Sequence, residues 1–189
     1  MRWTPVLALT VALTVFACSG SPTGPTGGAG TLTVMLKDSP FSDAKSLLVT
    51  FSEVSAHRAE GEWTTLPFSG AATRRTCDLK KLTDAQDVLG TGPLAPGHYT
   101  MLRLVVSSAS LYFDNAASGP ACAPTVAAPA GRSAAVEIPS GEVKLNREFE
   151  LTSTTASTIL LDFDGDRSVR ETGNGRYMMS PVIGIVSVK

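Results

Sequence analysis

Apolar and polar residues alternate over short segments along most of the chain, and this two-residue period is that of a β-strand with one buried face. The densest example is ILLDFD, in which Ile159, Leu161 and Phe163 alternate with Asp162 and Asp164. The pattern predicts a strand whose apolar side chains lie on one face and whose carboxylates lie on the other.

A turn and a second apolar run follow this strand. Gly173-Asn174-Gly175 consists of residues that tolerate the positive φ angles of a tight turn. Residues 177–188 are then apolar at most positions. We therefore expect one strand here, buried on most of its length, at the centre of the sheet on which the other strands assemble.

Alternating segments also recur through the earlier part of the chain. They are residues 32–36, 47–51, 63–66, 98–106, 111–113, 136–138 and 143–151. Turn residues separate them, for example Asp38-Ser39-Pro40 and Glu60-Gly61-Glu62. The alternation changes phase at Ser52-Glu53, which predicts a β-bulge within a hairpin that covers residues 46–67.

Two segments depart from this pattern. Residues 78–89 place Leu79, Leu82 and Leu89 near one helical face, which predicts either a short helix or an extended crossing between two sheets. Residues 116–132 are mostly Ala, Pro and Gly without periodicity, which predicts an exposed loop insertion.

Roughly eight or nine short strands and at most one short helix predict an all-β fold. We expect residues 31–189 to form a single domain, a two-sheet antiparallel β-sandwich of the immunoglobulin or transthyretin type, because each sheet then buries one face. The chain has 189 residues and is 43% hydrophobic, which is sufficient for one core. Its 16 basic and 17 acidic residues are balanced, so the charge does not favour a nucleic-acid partner.

The N-terminus has the pattern of a targeting segment. Arg2 precedes an apolar run, residues 6–16, that is too short to span a bilayer. The run ends in VFAC, which resembles a bacterial lipobox, so residues 1–17 are expected to be a lipoprotein signal peptide and Cys18 the lipidated first residue of the mature protein. The alternative is an ordinary secretory signal that is cleaved elsewhere.

A flexible tether is predicted between the lipid anchor and the domain. Residues 19–30 are rich in Gly, Ser and Pro and should span about 20 Å as a coil. Because Ser19 and not Asp follows Cys18, resemblance to known lipoprotein sorting implies the outer membrane in a Gram-negative cell. The domain is therefore expected to lie close to the membrane.

The carboxylates of DFDGD are the best candidates for chemistry. Asp162, Asp164 and Asp166 match the first positions of a calcium-binding loop, but Arg167 and Gly173 stand where an EF-hand requires Gly and Glu. Two alternatives follow, a weak calcium site or an ion-paired polar face. We expect no other cofactor.

Few residues suggest catalysis. His57 and His98 are the two histidines and lack metal-ligand spacing, so we expect each to be a polar residue near a strand end. Trp63, Tyr99 and Tyr112 are either a sugar-stacking platform or part of the core.

A small basic patch is predicted from two dipeptides, Arg74-Arg75 and Lys80-Lys81. A solvated surface is the ordinary role of such a patch.

The cysteine count predicts a disulfide. If Cys18 is lipidated, Cys77 and Cys122 remain in an oxidising compartment, where a pair of cysteines is usually joined. The alternative is two free thiols.

Four segments carry a family resemblance. They are Asp-Ser-Pro at 38–40, PLAPGHYTMLRLVV at 93–106, LLDFD at 160–164 and GNGRYMMSPVI at 173–183. In this order behind a lipobox, they resemble the bacterial lipoprotein family known as domain of unknown function 4382. The resemblance implies a β-sandwich at the cell surface or in the periplasm and implies no catalytic residue.

These observations favour a lipid-anchored, non-enzymatic binding or structural module of the cell envelope. Its expected partners are the membrane, through the lipid anchor, and an envelope protein or a carbohydrate. The alternative is a carbohydrate-active or other hydrolase, or an accessory subunit, in which Asp162 and Asp164 perform acid-base chemistry in a cleft.

Overall fold

The computed structural model describes residues 28–39 and 44–189, and in this part of the chain strands dominate. The strands are β1 (Gly30–Ser39), β2 (Ser46–Arg58), β3 (Trp63–Thr65), β4 (Arg75–Asp78), β5 (Asp87–Leu94), β6 (Gly97–Tyr112), β7 (Cys122–Ala123), β8 (Ser133–Glu137), β9 (Glu142–Leu151), β10 (Ala156–Asp164), β11 (Val169–Gly173), β12 (Arg176–Met179) and β13 (Ile183–Val188). One α-helical turn, α1 (Gly165–Ser168), follows β10. The described chain is thus nearly all-β, as predicted, although its strands are more numerous than expected.

The smaller sheet has four strands in the order β13-β10-β1-β5. Its two central strands, β1 and β10, are parallel, with Lys37 opposite Asp162 and Ser39 opposite Asp164. The expectation of antiparallel sheets is therefore wrong at this pair. A parallel pair requires a long connection between its strands, and here the chain between β1 and β10 contains most strands of the larger sheet and β5 of the smaller sheet.

The larger sheet has nine strands, and β2 and β6 form its centre. The predicted hairpin is confirmed, since β2 pairs with β3, and the predicted bulge is confirmed by register shifts between Thr50 and Glu53. A second parallel pair joins β12 to β8, so both sheets have mixed strand orientation.

The core lies between the two sheets. Ile159, Leu161 and Phe163 of β10 are fully buried, which confirms the alternation predicted for this strand. The Phe163 ring meets the Phe51 ring of β2 edge to face, with 6.4 Å between the ring centroids. Side chains from both sheets thus share one core, as in a β-sandwich.

The expectation of one central strand over residues 177–188 is wrong. The run divides into β12 in the larger sheet and β13 at the edge of the smaller sheet, where Val186 is 52% exposed. Pro181 lies between them and cannot donate a ladder hydrogen bond. The neighbouring Val182 N donates instead to Ser168 Oγ at 2.8 Å.

Of the two alternatives predicted for residues 78–89, the helix is wrong and the crossing between two sheets is confirmed, because the chain passes from β4 in the larger sheet to β5 in the smaller sheet. A short 3-10 helix covers Leu79–Leu82, and the chain then enters β5, which continues past Gly90. The Asp78 side chain caps the 3-10 helix by accepting a hydrogen bond from Lys80 N. Residues 111–113 are likewise not a separate strand, because β6 extends to Tyr112.

The segment 116–132 is not a wholly exposed loop. Within it, β7 pairs with β4, and Ala117 and Val126 are buried against Leu48. The predicted disulfide between Cys77 and Cys122 is confirmed, with Cα atoms 4.1 Å apart. The segment is thereby held against the edge of the larger sheet.

The predicted lipidation residue, Cys18, lies outside the described residues, as does Pro40. In residues 28–39 and 44–189, no helix has the length and apolar character required to cross a bilayer.

Candidate functional site

The sequence-predicted carboxylates lie where the parallel strands β1 and β10 end. Asp162 accepts hydrogen bonds from Ser39 Oγ on both oxygens, at 3.2 and 3.1 Å, and Lys37 Nζ lies 3.1 Å from the same carboxylate. Parallel pairing aligns these side chains across neighbouring strands. Asp162 is therefore the centre of a local polar network.

The sequence did not indicate that Asp38 would be the buried carboxyl at this end of the sheet. It is 2% exposed, its Oδ1 accepts a 3.3 Å hydrogen bond from Gly165 N, and its Oδ2 has no partner among the described residues. The pKa of Asp38 is raised from 3.8 to about 7, chiefly by burial. The nearby carboxylates of Asp162 and Asp164 also raise it, whereas the hydrogen bond from Gly165 N and the charge of Lys80 lower it.

Asp164 and Asp166 do not complete a calcium loop with Asp162. Asp164 caps α1 by accepting a 3.0 Å hydrogen bond from Arg167 N, and Asp166 is exposed in the first turn of that helix. Among the described residues, no three His, Cys, Asp or Glu side chains are grouped so that they could hold a metal ion. The contacts of Asp162 with Lys37 and of Asp164 with Arg167 are those of an ion-paired face.

The two histidines lie at strand ends, as expected. His57 hydrogen-bonds Thr100 Oγ1 at 3.1 Å, and His98 Nδ1 lies 2.7 Å from Glu150 Oε1. In each case the partner is a side chain on the neighbouring strand, so each histidine makes a cross-strand contact.

The three aromatic candidates do not form one platform. Tyr99 is 1% exposed and stacks on Phe149 at 5.2 Å, so it belongs to the core. The Arg103 guanidinium covers the Trp63 ring at 4.5 Å. Tyr112 lies elsewhere, at the end of β6 on the outer face of the larger sheet.

The predicted basic patch is divided. Arg75 is 7% exposed and pairs with Asp87 at 3.1 Å. Lys81 Nζ donates to Gly119 O at 2.7 Å, which fastens the segment 116–132. Arg74 is exposed and makes no ion pair with any described residue.

A groove on the outer face of the larger sheet is the second site that the structure reveals. Its volume is about 260 Å³. Its floor carries a row of hydroxyls from three strands, since Thr50 of β2 lies opposite Thr76 of β4 on one side and Ser108 of β6 on the other. The Oγ1 atoms of Thr50 and Thr76 are 3.0 Å apart.

The segment 116–132 forms one wall of the groove, through Thr125, Val126 and Ala128. A buried chain of hydrogen bonds holds this segment in place, because Ala117 N donates to Ser46 Oγ at 2.7 Å and Ser46 Oγ donates to Asp78 Oδ2 at 2.8 Å. The sequence did not indicate the groove, because its hydroxyls come from three separate strands. The available signal was the recurrence of Ser and Thr on the polar faces of these strands.

Comparison with known proteins supplies one match. A family model described as Domain of unknown function (DUF4382) matches residues 29–181, which is most of the chain. Comparisons with curated proteins and with solved structures gave no match. The matched range contains every strand of both sheets except β13, together with the disulfide and the groove. The chain therefore belongs to the family described as Domain of unknown function (DUF4382).

Proposed function

We propose that the protein is a lipoprotein of the bacterial cell envelope, attached through Cys18 to the outer membrane, and that its β-sandwich acts as a non-enzymatic binding or structural module. The observation that carries this proposal is the disulfide between Cys77 and Cys122. Disulfides persist in oxidising compartments outside the cytoplasm and are rare inside it. Export is also what the lipobox-like sequence before Cys18 predicts.

The order of segments supports attachment close to the membrane. β1 begins at Gly30, so residues 19–29 separate Cys18 from a central strand of the smaller sheet. A Gly/Ser/Pro-rich segment of this length spans about 20 Å as a coil. Several acyl chains on one cysteine provide lasting attachment, since each buried methylene contributes about 0.8 kcal/mol.

The environment of the carboxylates favours a binding or structural role over hydrolysis. A hydrolase that works through two carboxyl groups needs one of them to be protonated and to reach the substrate. Among the carboxyls at the end of β1 and β10, Asp38 has the raised pKa that suits a general acid. Because Asp38 is only 2% exposed, it is poorly placed to reach a substrate. Asp162, its more exposed neighbour, is already engaged by Lys37 and Ser39.

Replacement of Cys18 tests the anchor. We expect Cys18→Ser to abolish incorporation of labelled fatty acid and to leave the protein unprocessed or in the aqueous phase of a detergent partition, because the acyl chains supply the membrane affinity. Ser19→Ala is the matched control and should retain both the label and the detergent phase. Wild-type protein that carries no label and enters the aqueous phase would overturn the proposal.

A further inference from the structure

We propose that the groove on the outer face of the larger sheet binds one acidic sugar residue, a hexuronate. This inference deepens the proposed function and rests on it, because it names the site and the ligand class of the binding module. Three properties of the groove carry it: a floor of hydroxyls, an apolar wall and one guanidinium in the lining that makes no ion pair with a described residue.

The floor suits a polyhydroxylated ligand. Thr76, Thr50 and Ser108 form a row across β4, β2 and β6, and Ser110 lies two residues further along β6. Each hydroxyl can donate one hydrogen bond and accept others. Such a row can adjust to sugar hydroxyls, which have the same dual character.

The wall suits the face of a sugar ring. Leu48 and Val126 form a small apolar cluster outside the main core, and the half-buried Tyr112 packs against it. All three residues line the groove. The C–H groups on one face of a pyranose ring can pack on this apolar surface while the ring hydroxyls reach the floor.

The charge of the lining selects an acidic ligand. Arg74 is exposed, makes no ion pair with any described residue and carries the one formal charge in the lining. A guanidinium binds a carboxylate through two parallel hydrogen bonds, and such bonds are stronger than neutral ones. A neutral sugar offers Arg74 only hydroxyl acceptors, which form weaker hydrogen bonds than a carboxylate, so the lining favours a uronic acid.

The size and rigidity of the groove suit one ring. Its volume of about 260 Å³ is slightly below the roughly 300–1,000 Å³ that is typical of pockets for drug-sized ligands. The wall is held by the Cys77–Cys122 disulfide and by the hydrogen bond from Ala117 N to Ser46. A preformed site loses little free energy to ordering when a ligand binds.

Ligand-detected NMR on the full-length protein in detergent micelles tests the inference, with D-galacturonate, D-galactose and sulfate as the probes. We expect galacturonate to bind with a Kd of about 1 mM or lower, and both galactose and sulfate to bind at least about tenfold more weakly, a difference of about 1.4 kcal/mol. Arg74→Gln should weaken galacturonate binding about tenfold or more without changing galactose binding.

Two further variants keep the test specific. Thr50→Val removes the central floor hydroxyl with little change of shape and should weaken the binding of both sugars. Arg147→Gln changes an exposed arginine of β9 that lines a different groove and makes no ion pair with a described residue, so it should leave binding unchanged. Because Arg74 is exposed, Arg74→Gln is expected to fold even if Thr50→Val does not.

Equal affinity for galactose and galacturonate, sulfate binding as tight as galacturonate binding, or galacturonate binding that Arg74→Gln does not weaken would each overturn the inference. A protein that retains its acyl label but binds no galacturonate overturns this inference and leaves the anchor proposal intact. A protein that binds galacturonate but carries no acyl label overturns the anchor proposal alone.

Discussion

At the scale of single residues, Asp38 shows how a side chain can couple folding to pH. Burial raises its folded-state pKa to about 7 from an ordinary value of 3.8, so between these pH values the folded protein binds more protons than the unfolded chain. The free energy of unfolding therefore falls as pH rises through this window. The neighbouring carboxylates of Asp162 and Asp164 act in the same direction, and Lys80 acts against them.

Replacement of Asp38 tests this coupling. Relative to Asp38→Asn, the wild type is expected to lose about 2 kcal/mol of unfolding free energy between about pH 5 and pH 8, because only the wild type must ionise a buried carboxyl. Urea unfolding at a series of pH values measures this difference. Asp166→Asn is the control, since Asp166 is exposed, and should follow the wild type. Parallel pH profiles for wild type and Asp38→Asn would contradict the prediction.

At the scale of elements, the disulfide joins the edge strand β7 of the larger sheet to its neighbour β4. It links β4 to β7 and closes a loop between residues 45 positions apart. β7 has only two residues and forms backbone hydrogen bonds with one neighbouring strand, β4, so this pairing alone is weak. The disulfide therefore secures both the edge of the sheet and the wall of the groove.

Removal of this crosslink should destabilise the protein. The double substitution Cys77→Ala and Cys122→Ala is expected to lower the free energy of unfolding by about 2–4 kcal/mol, since a loop of this length contributes up to about 4 kcal/mol in the chain-entropy model. Urea unfolding with and without reductant measures the effect. Reductant should destabilise the wild type and leave the double variant unchanged. The prediction would be contradicted if the wild type, denatured in the presence of reductant so that the disulfide is accessible, gave the same urea unfolding curve as without reductant.

At the scale of the whole molecule, the acidic end of the β1–β10 pair is expected not to bind calcium. Lys37 and Ser39 engage Asp162, Asp38 is buried, and Asp166 lies in a separate helical turn. Millimolar calcium should therefore shift the Tm by less than about one degree, because a ligand stabilises a fold only through its binding to the native state. A large upward shift that Asp164→Asn abolishes would contradict this expectation.

Patterns local to the sequence determined several features of this protein. The alternation over 159–163 predicted its buried face, the phase change at Ser52-Glu53 predicted a bulge, and Gly173-Asn174-Gly175 predicted a turn in which all three residues have positive φ. The cysteine count predicted the disulfide that is now confirmed. Each of these features depends on neighbouring residues or on a small number of candidate partners.

The tertiary structure alone decided how distant segments meet. The parallel pairing of β1 with β10 joins residues more than a hundred positions apart, and the apolar run 177–188 fits two different sheets equally well by its pattern. Asp38 adjoins a turn signal in the sequence, yet packing makes it a buried carboxyl. Strand period specifies which face a residue occupies but not which strand lies beside it, since that choice depends on long-range packing. The hydroxyl row of the groove forms only because β4, β2 and β6 lie side by side in this order.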